Sequence, residues 1–260
     1  MPRLLALAFV TLLAGLAPEA AAQGVVVAPH AVYLDHRTRS ASVTLYNPGA
    51  DPTEVTISSL YGYPVTDSLG HFTLFVPDSV EAAMPSATGW IEAFPRRMTL
   101  APLQRQLVRL LARPPQGLPD GEYWSRIMIS AKGGVLQVAG ADSAAIQIGL
   151  ALEVRTIIPL IYRKGVVGTG IAVKDLRAAH AGDSLRVRVR LERQGTAAYV
   201  GTAKGTLLTS TGATVATFQQ PIAVYYDAEP VFTIPLAGKP AGSYRLRLEM
   251  SGERTDIPTE

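Results

Sequence analysis

Apolar and polar residues alternate at period two along most of this chain. Between Ser40 and Tyr46, Ala41, Val43 and Leu45 oppose Ser42, Thr44 and Tyr46. Val55 and Ile57 mark one face of Glu54 to Tyr61, and Tyr123 to Ala131 sets Tyr123, Ser125, Ile127 and Ile129 against Trp124, Arg126, Met128 and Ser130. Strict alternation is the mark of a half-buried β-strand. The breaks carry turn chemistry: Asn47-Pro48-Gly49, Asp67-Ser68-Leu69-Gly70, which predicts a hairpin in the otherwise irregular residues 64–90, and Ala101-Pro102-Leu103. A long strand is expected over Ala145 to Tyr162. After Arg163-Lys164-Gly165 the pattern restarts, with Leu185, Val187, Val189 and Leu191 inward and Arg186, Arg188 and Arg190 outward. Short strands follow at 204–208, 213–218, 222–226, 231–236 and 244–250. Strands at this spacing, with no amphipathic helix after residue 22, predict an all-β chain of two immunoglobulin-like sandwiches, residues 23–164 and 165–260.

The amino terminus reads differently. Arg3, an apolar run from Leu4 to Leu16 and Ala20-Ala21-Ala22 form a secretory signal peptide, residues 1–22. The run is shorter than the roughly 20 residues a bilayer span needs. The most apolar later stretch, 146–162, is interrupted by Gln147, Glu153, Arg155 and Pro159, so no membrane span is expected in the mature chain. The sequence has no cysteine, which excludes disulfides and thiolate metal sites. The net charge of +3 is mild and its basic residues are dispersed, which argues against nucleic acid as a partner.

Candidate chemistry is sparse. His30, His36, His71 and His180 lie at no metal-binding spacing, and no nucleophile elbow, metalloprotease helix or phosphate loop is present. Gly168-Thr169-Gly170 is half of a dinucleotide fingerprint without the rest, and reads as a flexible interdomain segment. The expectation is a non-enzyme with no cofactor and no metal site.

Ile146, Ile148, Leu150, Leu152 and Val154 form an apolar row opposite Gln147, Gly149, Ala151, Glu153 and Arg155. Two readings stand. The row faces the domain's own core, or it lies at a sheet edge and completes a partner by strand addition, its alternate side chains filling pockets.

Five segments bear on this choice: Val27-Ala28-Pro29-His30-Ala31-Val32; Ser42 to Asn47; Thr99-Leu100-Ala101-Pro102 with Gln106-Leu107-Val108-Arg109-Leu110; Leu118-Pro119-Asp120-Gly121-Glu122-Tyr123-Trp124; and Leu160-Ile161-Tyr162-Arg163. In this order the chain resembles the PapD-like periplasmic pilus-assembly chaperones over nearly all of the mature length. The resemblance implies an L-shaped, boomerang-like pair of domains in the periplasm. It implies donor-strand complementation of pilin-like secreted subunits, for delivery to an outer-membrane usher. The donor residues would be Leu150, Leu152 and Val154, with Ile148 extending the row, and an unoccupied donor strand invites self-association. The family anchors a subunit carboxylate with an Arg and a Lys. Here His30 and Pro159 stand at those positions, leaving His30, Arg155 and Arg163 as candidate anchors. Asp35-His36-Arg37-Thr38-Arg39 reads as a turn. The alternative is a non-catalytic structural or adhesive module.

Overall fold

The computed structural model describes residues 24–137 and 149–257. The signal peptide read over 1–22, and Ile146 and Ile148 of the apolar row, lie outside the described residues.

The first sandwich closes on the residues the alternation marks. One sheet runs β1 (Val26–Ala28), β3 (Ser40–Tyr46), β9 (Arg105–Ala112) and β7 (Ile91–Phe94). The facing sheet runs β2 (Val32–Asp35), β11 (Gly149–Lys164), β10 (Gly121–Gln137), β4 (Thr53–Leu60) and β8 (Arg97–Leu100). Pro29 lies between β1 and β2, where the chain passes from one sheet to the other. Val43, Leu45, Val108 and Leu110 from the first sheet meet Val55, Ile57, Ile127, Ile129, Ile158 and Leu160 from the second, all buried. Asn47 ends β3 for a visible reason: its buried Nδ2 donates to the carbonyls of Asp51, Leu100 and Ala101, at 2.8, 3.1 and 3.2 Å. It thereby ties that turn to the 101–104 turn, which carries the chain between sheets.

The hairpin expected at Asp67 forms between β5 (Tyr63–Thr66) and β6 (Phe72–Phe75). The Asp67 carboxylate accepts from the Leu69 and His71 amides at 2.9 and 2.8 Å. Asp35 to Arg39 is a turn, as read: the Asp35 carboxylate accepts from the amides of Arg37 and Thr38.

The second sandwich pairs β12 (Thr169–Ala181), β13 (Ser184–Gly195), β16 (Asp227–Ala228) and β17 (Val231–Pro235) against β15 (Thr214–Val224), β14 (Tyr199–Leu208) and β18 (Arg245–Gly252). Val187, Val189 and Leu191 are buried against Leu207, Phe232 and Ile234, on the face the alternation assigns. Two expectations are corrected. Gly168-Thr169-Gly170 is not a flexible segment: the Gly168 carbonyl accepts from the amides of Thr196 and Ala197 at 2.9 and 3.0 Å, and Thr169 opens β12. The strands read at 213–218 and 222–226 are one strand, β15. It runs through Pro221 because β15 lies at a sheet edge, where the missing N–H costs no ladder bond. Among the described residues no helix is long and apolar enough to cross a membrane.

Candidate functional site

β11 is paired along its whole length on one side only. β10 accompanies it from Gly149 to Lys164, whereas on its other side β2 reaches only Leu160 to Arg163. Among the described residues the backbone edge of β11 from Gly149 to Pro159 is therefore free of strand pairing. β10 in turn is paired by β4 only between Arg126 and Lys132. Beyond that point β10 and β11 continue as a two-stranded arm to the Gln137–Gly149 pair, with a bulge between Lys132 and Val135.

The apolar row keeps its face along the strand but changes its surroundings. Ile158, Leu160 and Tyr162 are in the core. Val154, on the same face, is half-buried and packs beneath the backbone of Gly24, where an added Cβ would sit 3.2 Å from a Val154 methyl. Leu152 is 41% exposed. The row thus runs from the core out past its end. Of the other donor candidates, Leu150 is placed on the described strand by its backbone, and Ile148 lies outside the described residues.

The three candidate anchors do not converge. His30 is exposed just after β1. Arg155 is exposed on β11 and donates from Nε to Glu153 at 2.9 Å, which holds the Glu153 carboxyl below its usual range. Arg163, eight positions along the same extended strand and so about 26 Å away, is held at the base of the domain, donating to the Asp256 carbonyl at 2.5 Å and lying 4.0 Å from Asp35.

That base is a junction between the sandwiches. Glu122 and Arg254 are almost wholly enclosed, with side chains 0% and 2% exposed, and meet at 2.5 Å. The Glu122 carboxylate also accepts from the Trp124 indole at 2.8 Å and the Ala198 amide at 2.9 Å. Arg254 binds Asp256 through both Nε and Nη2 and donates to the Ala198 carbonyl. Burial works against the Arg254 charge. The hydrogen bonds to Asp256 and Glu122 overcome it and leave the guanidinium pKa above its ordinary value.

Around this pair lies an aromatic cluster. Trp124 packs edge-on against Tyr225 and Tyr226, with centroids at 4.5 and 5.4 Å, and the Tyr61 and Tyr226 hydroxyls are 3.1 Å apart. The β5–β6 hairpin adds a second clamp. The Gly70 carbonyl accepts from the Val231 amide at 3.1 Å, and Thr66 Oγ1 accepts from the Glu229 amide at 2.8 Å. Gly70 has φ +84° and a Cβ there would lie 2.4 Å from Val231, so glycine is required twice over.

Solved structures similar to this chain include bacterial chaperones, some in complex with a pilus subunit. They include the Acinetobacter baumannii CsuC-CsuE chaperone–tip adhesion subunit pre-assembly complex (12% identity, 87% of this chain and 98% of that one, TM-score 0.47). They also include the YadV chaperone (18%, 89% and 94%, 0.44) and the E. coli chaperone DraB (16%, 85% and 89%, 0.39). No protein-family model and no curated protein matches the chain.

Sequence reasoning missed the junction. Its signal was Trp124, a large aromatic on the nominally outer face of an alternating strand, together with Tyr225-Tyr226 ending another. Glu122 and Arg254, 132 positions apart, offered none.

Proposed function

We propose that the protein is an exported, non-catalytic chaperone of pilus- or fimbria-type subunits. It comprises a leader, residues 1–22, and two domains, 23–164 and 165–260. It acts in the periplasm by lending β11 to an incomplete subunit and passing that subunit to an outer-membrane usher. The observation that carries this reading is the edge of β11 from Gly149 to Pro159, unpaired among the described residues and bearing an exposed Leu152 on its core-facing row. A free backbone edge supplies the hydrogen bonds of strand addition, and alternate apolar side chains supply its specificity. Leu150, Leu152 and Val154, extended by Ile148, are the donor residues. Arg155 is the anchor best suited to a client carboxylate, since it shares the free stretch of β11, whereas Arg163 is engaged at the junction and His30 lies off that strand. Without a client, the same edge favours self-association.

The test is co-purification from periplasm of tagged wild type and Leu152→Glu. Leu152 is already half in solvent, so the variant is expected to fold with unchanged circular dichroism and to lose a small β-rich subunit that wild type retains. Retention of the subunit by the folded variant, or a variant that unfolds, would reject strand donation and favour the structural or adhesive module.

A further inference from the structure

Among the described residues the second sandwich is open along one side. An immunoglobulin-type sandwich of seven strands places the first, second and fifth in one sheet and the third, sixth and seventh in the other. Here β12, β13 and β16–β17 supply the first set, and β14 and β18, flanked by β15, supply the third and sixth positions. Among the described residues nothing pairs with the second edge of β18. The tail after it turns instead to the junction, where the Glu253 amide donates to the Val200 carbonyl and Arg254 is fixed by Glu122.

The consequence is visible in side chains that point inward without being covered. Val173 and Leu176 on β12 lie cross-strand from Leu191 and Val189, both fully buried, and so share their face. Yet they are 50% and 43% exposed. Across the gap, Leu246, Leu248 and Met250 of β18 are only half-buried. At one end the seam widens into a cavity of about 640 Å³ lined by Ala178, Leu185, Leu207, Leu236, Tyr244 and Leu246. Asp183 and Lys239 both line it. On the outer face of β18, Arg245 and Arg247 stand exposed beside Glu249, and among the described residues neither arginine makes an ion pair.

We infer that this seam is a second strand-binding site. Its occupant is an extended segment of another polypeptide that pairs with the free edge of β18, directs apolar residues at alternate positions inward over Leu246 and Leu248, and carries acidic residues between them. A free ladder edge selects a strand over a compact apolar molecule, an apolar row selects alternation, and the unpaired cations select acidic partners on the outer face. From Val173 to His180 the seam has room for about seven extended residues, roughly 23 Å. The site is independent of β11.

The experiment uses the full mature chain and a fluorescein-labelled nine-residue peptide alternating Val or Leu with Glu. Anisotropy is expected to show saturable binding, with hydrogen-exchange protection confined to 245–252. A shuffled peptide and one with Lys for Glu should bind at least about tenfold more weakly. Arg245→Glu/Arg247→Glu, on an exposed face, should weaken the Glu peptide by about tenfold and favour the Lys peptide. Leu152→Glu should bind as wild type does, which separates this site from the donor strand. The inference is overturned if no peptide binds, if the shuffled peptide binds equally well (an apolar cavity only), or if protection appears on β11 instead.

Discussion

Arg254 is the residue whose removal the junction tolerates least. Its guanidinium neutralises Glu122 in a space that excludes water, and two carboxylates and one carbonyl take up its donors. Removing one partner of a buried pair strands the other charge, a loss of about 3–5 kcal/mol, whereas replacing both by apolar residues of similar volume is far less costly. Arg254→Met is therefore expected to lower the stability measured by urea unfolding by about that amount, and Glu122→Met/Arg254→Met to recover most of it. A single variant as stable as wild type would mean that the pair is wet and contributes little. None of this was legible in the sequence. A Glu before a strand and an Arg after the last one are ordinary surface residues until the two sandwiches meet, and only Trp124, misplaced on an outer face, pointed to something covering it. The three candidate anchors show the converse. Each is a basic residue in sequence, but Arg163 is occupied at the junction, His30 lies off β11, and only Arg155 stands on the free stretch of the strand, where it is shared with its neighbour Glu153.

At the scale of elements, β11 shows what alternation can and cannot say. Period two places Leu152, Val154, Ile158 and Leu160 on one face, and the structure agrees. The depth of each position depends on where the neighbouring strands stop, and that is a property of β2, β4 and the facing sheet. Of the row itself the described side chains are Val154, half-buried, and Leu152, 41% exposed, and the core begins beyond them at Ile158. The difference is measurable. Ile158→Ala, at a position 3% exposed, should cost about 2–5 kcal/mol, and Leu152→Ala well under 1.5 kcal/mol. Equal losses in urea unfolding would place Leu152 in the domain's own core and remove the ground for strand donation. The same limit explains the errors in the second sandwich. Residues 213–226 read as two strands, and their joining through Pro221 depends on β15 being an edge strand; Gly168-Thr169-Gly170 looked loose because the amides that fix it come from residues 196 and 197.

At the scale of the whole molecule, strand count and turn spacing were enough to recover two sandwiches, but not how they touch. The contact is made by outer-face residues, Tyr61, Trp124, Ile161, Ala198 and Tyr225, buried together with Tyr63 and Tyr226 packed against them. The tyrosines give that contact a titration of its own. Burial raises the Tyr225 hydroxyl above its ordinary pKa, and burial followed by the hydrogen bond with Tyr226 raises Tyr61. Free tyrosine loses its proton near 10. Above that pH the unfolded chain has released protons that the folded junction still holds, so the folded state is progressively disfavoured. The stabilisation is complete below pH 10 and is lost as pH rises toward the folded-state values. Unfolding free energy should therefore be flat between pH 8 and 9.5 and should then fall, with a slope of up to about 1.4 kcal/mol per pH unit for each tyrosine held protonated. Tyr61→Phe and Tyr225→Phe should each make the fall shallower. If both variants track wild type, alkaline loss of stability arises elsewhere and the sandwiches are not held together by a dry aromatic contact. If both differ from wild type, the junction opens with the fold, and the domains behave as one cooperative unit that presents β11 and the β18 seam in fixed relation.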